Sequence, residues 1–129
     1  MKLAEKTKSP VILITDIERG GSFGSIVGTM SLLEKKYQRM IKGFVFNKFR
    51  GDLNILKPGF RKLKQNTGKP VFATIPQTKF LLPEEDSITS NSKQLALNSK
   101  NLKKIDSEIE KLSKVVKSSL NIRAIEKLL

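Results

Sequence analysis

The first eighty positions contain three short apolar runs. Each run follows a proline or a glycine, and polar residues come soon after it. They are Val11–Ile14 after Pro10, Phe44–Phe46 after Gly43, and Val71–Ile75 after Pro70. A continuous apolar run, without polar alternation, is typical of a parallel strand covered on both faces. We therefore predict three parallel strands at these positions.

The segment between the first two runs predicts an amphipathic helix from an N-cap at Ser22 to Leu33. Apolar residues recur there at spacings of three and four, which places them on one helical face. They are Phe23, Ile26, Val27, Met30 and Leu33. Gly24 and Gly28 lie four residues apart, so we expect this helix to pack closely on the sheet.

Two further helices are predicted before the third run. One is short, from Glu34 to Ile41, and Gly43 is expected to end it. The other follows the second strand, is interrupted at 57–59 (Lys-Pro-Gly), and ends with Gly68 as its C′ residue. Strand–helix–strand–helix–strand order implies right-handed crossovers in an α/β fold.

The ends of the chain differ from this core. Residues 1–9 are polar and are expected to fray, and 88–101, rich in Ser, Asn and Lys, reads as a linker. From 102 to 129 we predict an amphipathic helical tail, broken near Asn121. Its apolar stripe consists of Leu102, Ile105, Ile109, Leu112, Val116 and Leu120. A three-stranded sheet has an open edge, so we expect the tail, further sequence or a partner to cover it.

The amino-acid composition excludes several classes of functional site. The chain has no Cys and no His, which excludes disulfides, thiolate metal sites, a cysteine nucleophile and histidine acid–base catalysis. An apolar signal core and a run of about 20 apolar residues are both missing from the sequence, so we expect a cytoplasmic protein without a membrane span.

The net charge of +13 is concentrated in residues 34–69, where eleven Lys and Arg stand against two acids. Such a segment attracts polyanions. We favour a solvated lysine-rich surface over a nucleic-acid surface, because the aromatic residues that stack on single-stranded bases do not accompany the charge.

Polar residues follow each strand, where open α/β sheets place ligand sites. Asp16 is a candidate for holding Mg²⁺ beside nucleotide phosphates, or else an acid that caps a loop. Arg19, Gly20 and Gly21 combine a cation with backbone that can approach an anion, or else form a plain turn.

Asn47 and Lys48 after the second strand suit a purine base, since the amide offers a donor and an acceptor and the lysine stem can pack on the ring. The alternative is an Asx turn. Pro76 is a candidate for another wall of that pocket. The acidic loop Glu84, Glu85 and Asp86 is a weaker candidate for binding a metal or a cationic group.

Four strings together resemble cobyric acid synthase, the glutamine-dependent amidotransferase of cobalamin biosynthesis. They are PVILITDIERGGSFGSIVGTMSLLE, KGFVFNKFRGDLNILKPGF, TGKPVFATIP and LPEEDS. The resemblance covers roughly residues 10–87 and matches the family's synthetase domain, while the tail resembles the family's helical end more weakly.

The resemblance implies a P-loop NTPase-like fold related to dethiobiotin synthetase. It also implies ATP and Mg²⁺ as cofactors and a corrinoid substrate, adenosylcobyrinic acid a,c-diamide, whose side-chain carboxylates are amidated. A glutaminase domain with a Cys nucleophile and a His supplies the ammonia in this family.

By resemblance, Asn47 and Pro76 line the adenine pocket and Asp16 faces Mg²⁺ and phosphate. The resemblance assigns a further set to the corrin carboxylate or its loop: Arg19, Gly20, Gly21, Arg50, Glu85 and Asp86. Gln77-Thr78 departs from the family, where an aromatic residue is expected after Pro76.

Two larger departures concern activity. The P-loop order G-x-x-x-x-G-K-[ST] does not occur in the sequence, and neither does a glutaminase domain. We therefore expect a truncated or split cobyric acid synthase homologue, inactive alone, which works with separate P-loop and glutaminase chains or as a homo-oligomer. The alternative is a non-catalytic remnant that binds a nucleotide or a protein.

Overall fold

A three-stranded parallel sheet flanked by helices forms the centre of the computed structural model, which describes residues 1–80 and 99–128. The strands are β1 (Val11–Asp16), β2 (Ile41–Phe49) and β3 (Val71–Pro76), in the order β1-β2-β3. The helices are α1 (Lys2–Thr7), α2 (Ser22–Leu32), α3 (Lys35–Met40), α4 (Lys57–Thr67), α5 (Ser99–Ser119) and α6 (Ile122–Glu126), with a 3₁₀ turn at Leu53–Leu56. The predicted α/β class and parallel order are confirmed.

One face of the sheet carries the main hydrophobic core. Phe44 and Phe46 alternate along β2 towards this face and are fully buried. The ring of Phe46 lies 4.8 Å from that of Phe23 on α2 and 5.1 Å from that of Phe60 on α4, measured between centroids. Ile26 and Met30 are also buried there, which confirms the predicted apolar face of α2.

Gly43 does not end a helix, as the sequence suggested, but lies inside β2. A Cβ at this position would collide with the ring of Phe72 and lie 2.7 Å from the carbonyl oxygen of Pro70. The close approach predicted at Gly24 and Gly28 is wrong, since a Cβ at either would meet nothing within 4 Å. The close approach that requires glycine at the sheet is therefore at Gly43 in β2 and not at these two positions of α2.

The expectation that the first strand is covered on both faces is also wrong. Ile14 is 68% exposed, although its neighbours across the sheet, Val45 and Ala73, are buried. Strand β1 lies at an edge of this sheet. The described elements cover only part of the face of β1 that is opposite the main core, where Ile14 lies.

Residues 1–9 do not fray throughout, because Lys2–Thr7 form α1. The carboxylate of Glu5 accepts hydrogen bonds from Lys36 Nζ at 3.0 Å and from Tyr37 Oη at 2.9 Å on α3. These contacts join α1 to α3. Local sequence patterns cannot reveal a tertiary contact of this kind.

The Lys-Pro-Gly sequence at 57–59 is the first turn of α4 and not an interruption. Proline is well tolerated there because the first turn of a helix has no intrahelical acceptor for its N–H groups. At the other end Gly68 adopts φ 69°, which confirms the predicted left-handed C-cap.

The carboxyl-terminal helices cover part of the β3 edge. Helix α5 begins at Ser99, three residues before the predicted start, and the remainder of the predicted linker lies outside the described residues. Leu120 forms an antiparallel bridge with Ala73, and the N–H of Asn121 donates to the carbonyl of Phe72 at 3.3 Å. Asn121 breaks the tail as predicted, because its side chain caps α6.

The stripe along α5 is only partly packed, since Leu102 and Ile109 are 45% and 50% exposed. Across 1–80 and 99–128, none of the helices has the length and hydropathy needed to cross a membrane.

Candidate functional site

The carboxyl ends of the three strands bring polar residues to one edge of the sheet. Asp16 at the end of β1 pairs in register with Asn47 on β2, and Phe49 on β2 pairs with Pro76 at the end of β3. We call the edge of the sheet that is formed by the carboxyl ends of the three strands the carboxyl edge. Parallel strands with polar residues after each apolar run must gather those residues here.

Asp16 and Lys48 form an ion pair across the ends of β1 and β2. The Lys48 Nζ atom lies 2.8 Å from Asp16 Oδ2, and Asp16 Oδ1 accepts the backbone N–H of Glu18 at 3.0 Å. The hydrogen bond from Lys48 is the main reason that the pKa of Asp16 lies below its ordinary value, with the charge of Arg19 contributing less. Asp16 is therefore ionised at neutral pH, and a cation already lies against it.

The backbone at Lys48 adopts φ 61°, in the left-handed region that side chains other than glycine and asparagine rarely occupy. The Oδ1 atom of Asn47 accepts the Lys48 N–H at 2.9 Å, and the carbonyl of Asn47 accepts the N–H of Ile17 at 3.0 Å. These contacts hold the turn and direct the Lys48 side chain towards Asp16. A left-handed conformation costs about 1–2 kcal/mol for such a residue.

A second polar group joins all three strand ends. The guanidinium of Arg50 donates through Nη2 to Glu18 Oε1 at 2.7 Å and through Nε to the side-chain oxygen of Gln77. The Gln77 amide nitrogen donates to Glu18 Oε2 at 3.1 Å, which closes the ring of contacts. We call Glu18, Arg50 and Gln77 the strand-end triad. It fixes the orientation of the Arg50 side chain relative to the loop after β1.

The turn between β1 and α2 depends on two glycines. Gly20 and Gly21 adopt φ 73° and 67°, and Gly21 is the N-cap of α2, one residue before the predicted N-cap. Ser22 is instead the first helical residue and is buried. The side chain of Arg19 is exposed beside this turn. An anion site at this turn stays a prediction.

Pro76 lies at the end of β3, beside the carboxyl edge. It lines an open cleft of about 630 Å³ between β3 and α5, together with Phe49, Phe72 and Ser119. Asn47 and Lys48 lie at the neighbouring strand ends and do not line that cleft. A base pocket formed by Asn47, Lys48 and Pro76 stays a prediction.

The remaining predicted positions, Glu84, Glu85 and Asp86, lie outside the described residues. Within 1–80 and 99–128, nowhere do three or more acidic side chains come together as they would to hold a metal ion. Asp16 is thus the acid at the carboxyl edge that remains a candidate for contact with a cation beside phosphate.

Sequence reasoning missed Glu18 and treated Gln77 only as a departure from a pattern. A signal for both was available, because Glu18 stands four residues and Gln77 two residues beyond the end of a predicted strand. Arg50, which stands after the second strand, was predicted as a contact for a ligand carboxylate, and here its partners are Glu18 and Gln77.

The fold and this edge define a parallel α/β protein with ionised groups gathered at the carboxyl ends of its strands. Curated proteins then show what the chain is similar to. A probable cobyric acid synthase of Thermococcus onnurineus is 56% identical over 90 residues, which are 70% of this chain and 19% of the relative. That of Methanosarcina mazei is 43% identical over 112 residues, which are 87% of this chain. That of Methanococcus vannielii is 44% identical over 116 residues, which are 89% of this chain.

The chain is a partial homologue of the cobyric acid synthases. It spans about a fifth of the length of the curated relatives it matches, 22% of the Methanosarcina protein and 23% of the Methanococcus protein. Neither a protein-family model nor a solved structure gives a significant match.

Proposed function

We propose that this chain forms the middle of the ATP-dependent synthetase domain of a cobyric acid synthase. The observation that carries the proposal is the identity of 43–57% to curated cobyric acid synthases across most of this chain. The parallel sheet supports it, because a P-loop NTPase-like domain related to dethiobiotin synthetase needs such a sheet. The reaction proposed is the amidation of corrin side-chain carboxylates with ATP and glutamine.

Asp16 is the residue we propose to face Mg²⁺ and the phosphates of ATP. Its carboxylate is ionised and 72% buried as a side chain by the surrounding loop, and hard oxygen ligands of this kind suit Mg²⁺. Mg²⁺ usually keeps several waters and takes only one or two protein carboxylates, so a single Asp fits. When bound, the metal would neutralise phosphate charge, and the Lys48 ammonium beside Asp16 would add a second positive charge at the same edge.

Asn47 and Pro76 are proposed to contact the adenine, and Arg50 the carboxylate of the corrinoid. The Asn47 side-chain oxygen holds the backbone of Lys48, so its NH₂ group is the part available to a purine acceptor. Arg50 would exchange Glu18 for the substrate carboxylate, since both ligands are carboxylates. Arg19, Gly20 and Gly21 would contact the same substrate from the loop after β1, and Glu85 and Asp86 from theirs.

Two parts of the reaction need other sequence. These 129 residues contain no Cys or His for glutamine hydrolysis and no G-x-x-x-x-G-K-[ST] string to cradle phosphates. Both parts would come from elsewhere on a longer polypeptide or from partner chains.

A chimaera tests the proposal. The 90 residues of the Thermococcus onnurineus protein that match this chain are replaced by the corresponding residues of this chain. We expect ATP- and glutamine-dependent amidation of the corrinoid to persist, and Asp16→Asn in the chimaera to lower kcat/KM by about 100-fold, as loss of a charge-stabilising group does. Lys64→Gln, an exposed charge on α4, is the matched control and should leave the rate unchanged.

Glutamine hydrolysis by the glutaminase part reports whether the chimaera has folded. A chimaera that hydrolyses glutamine but does not amidate the corrinoid contradicts the proposal.

A specific observation favours the alternative, a non-catalytic binding remnant. Asp16 at the end of β1 and Glu18 in the following loop already have cationic partners, Lys48 on β2 and Arg50 just after it, so these two acids are neutralised within the chain. This alternative predicts that the purified chain binds ATP without Mg²⁺ dependence, or binds a protein, while the folded chimaera is inactive. Calorimetric titration of the 129-residue chain with ATP, with and without Mg²⁺, separates the two functions.

A further inference from the structure

The opposite edge of the sheet, where the strands begin, carries a separate group of cations. They are Lys8 before β1, Lys35, Arg39 and Lys42 around the start of β2, and Lys69 before β3. Because the strands are parallel, these positions meet at one edge, which we call the amino edge. It lies at the far ends of the strands from Asp16 and the strand-end triad.

Two adjoining clefts hold these cations. One, of about 370 Å³, is lined by Lys35, Arg39 and Lys69 with Gln38, Thr67 and Met30. The other, of about 490 Å³, is lined by Lys8, Arg39 and Lys42 among others. Arg39 lines both, so the two clefts form one continuous basic surface.

The contacts that hold these side chains are with neutral acceptors. Lys35 Nζ donates to the side-chain oxygen of Gln38 at 3.4 Å, Arg39 Nε to the carbonyl of Lys35 at 3.3 Å, and Lys42 Nζ to the carbonyl of Arg39 at 3.1 Å. In the parts of the chain that the structure describes, none of the five amino-edge cations forms a salt bridge.

One acid, Glu5, also lines the second cleft, and it is already neutralised. Its carboxylate accepts from Lys36 at 3.0 Å and from Tyr37 at 2.9 Å, and the hydrogen bond from Lys36 holds its pKa below the ordinary value. Among the described residues that line the two clefts, Glu5 is thus the one acid beside five positive charges, and it is already paired with Lys36.

We propose that the amino edge binds an extended run of phosphate groups, seated along the two clefts with Arg39 at their junction. The five cations spread over two clefts that share Arg39 suit several phosphates in a row better than a single anion. Neither cleft has an aromatic residue in its lining, so contact would be with phosphates and not with stacked bases. A nucleic-acid backbone and inorganic polyphosphate share this chemistry.

Fluorescence anisotropy with labelled duplex DNA, and competition with inorganic polyphosphate, test the proposal on the 129-residue chain. We expect binding at 50 mM salt whose affinity falls steeply with salt, with a slope of log K against log salt of about −4 if most of the five cations contact phosphate. The triple variant Lys35→Gln, Arg39→Gln, Lys69→Gln should weaken binding at least about tenfold and reduce that slope by about 2 to 3.

The matched control is Lys103→Gln, Lys104→Gln, Lys117→Gln on α5, which removes the same charge from exposed positions elsewhere. It should change the affinity less than about threefold. Lys35→Arg with Lys69→Arg keeps the charge and should retain binding, and thermal melts show whether each variant is folded.

Binding of either probe that only the amino-edge variant weakens supports the proposal, and the probe that binds more tightly identifies the source of the phosphates. Equal loss in both triple variants, or no binding of either probe at 50 mM salt, overturns it. The proposed synthetase function uses the carboxyl edge, so its test can fail without affecting this one.

Discussion

The ammonium of Lys48 lies 2.8 Å from Asp16 Oδ2, and the two residues are contributed by neighbouring strands at the same edge of the sheet. Lys48 reaches this position only because its backbone turns into the left-handed region at φ 61°. A charge contact and an unfavourable backbone conformation are thus coupled at one residue, and each can be tested separately.

The charge contact predicts a pH dependence. The pKa of Asp16 is lowered in the folded chain, so its pairing stabilises the fold above the unfolded pKa, about 4, and this contribution is lost as pH falls through the lowered folded value. Lys48→Ala should therefore lower the melting temperature relative to the natural chain at pH 6, with the difference shrinking by pH 2.5. Lys48→Arg, which keeps the charge, is the control, and a difference independent of pH would contradict this explanation.

The left-handed backbone at Lys48 predicts that glycine and alanine variants differ in stability in opposite directions at Lys48 and at Lys42. Lys48→Gly and Lys48→Ala both lose the ammonium, but glycine adopts φ 61° without cost. The glycine variant should be more stable than the alanine variant by about 1 kcal/mol. At Lys42, inside β2 with negative φ, the order should invert, since glycine weakens a strand interior. Chemical denaturation of the four variants measures both differences.

The close approach at Gly43 predicts strong sensitivity to one methyl group. Gly43→Ala places a Cβ against the Phe72 ring and 2.7 Å from the carbonyl oxygen of Pro70, and backbone cannot move aside easily. The free energy of unfolding should fall by about 1–3 kcal/mol, the usual cost of overpacking. Gly28→Ala in α2, where the space is open, should instead stabilise by about 0.5–1 kcal/mol. Equal effects at the two sites would be inconsistent with the packing described.

The strand-end triad predicts a modest, salt-sensitive coupling. A double-mutant cycle of Glu18→Ala and Arg50→Ala should give about 0.5 kcal/mol at low salt, because the Arg50 side chain is 69% exposed. The coupling should decrease in Gln77→Ala, since Gln77 contacts both partners. The more exposed pair of Glu110 and Lys114 on α5 provides a comparison, for which we expect a smaller coupling. A coupling that survives 1 M salt unchanged would argue against an electrostatic origin.

The sequence predicted the strands and helices of the sheet because each has a local pattern. Apolar runs identify β1, β2 and β3, and the spacing of Ile26 and Met30 identifies the buried face of α2. The parallel order followed from the continuous apolar runs, which are typical of strands covered on both faces. The position of Asp16 at the carboxyl edge then follows from topology alone.

The features that were missed depend on contacts between distant residues. Gly43 was read as a helix end because glycine marks helix ends locally, whereas its role comes from Phe72 across the sheet. Helix α1 is tied to α3 by Glu5, and the exposure of Ile14 depends on which elements lie beside β1. Likewise, the ring of contacts around Arg50 needs three strand ends to be placed correctly at once.

The bridge between Ala73 and Leu120 has a consequence for the order of folding. The two residues are about 47 positions apart along the chain, whereas β1, β2 and β3 are joined through nearby crossovers. Bringing two residues so far apart in sequence together costs conformational entropy before any favourable contact forms. We expect the sheet with α2 and α4, which holds the buried core, to assemble before the carboxyl-terminal helices join its β3 edge. Since Leu102 and Ile109 of α5 are 45% and 50% exposed, we expect the carboxyl-terminal helices to detach in unfolding before the core around Phe46 opens, which would reopen the β3 edge.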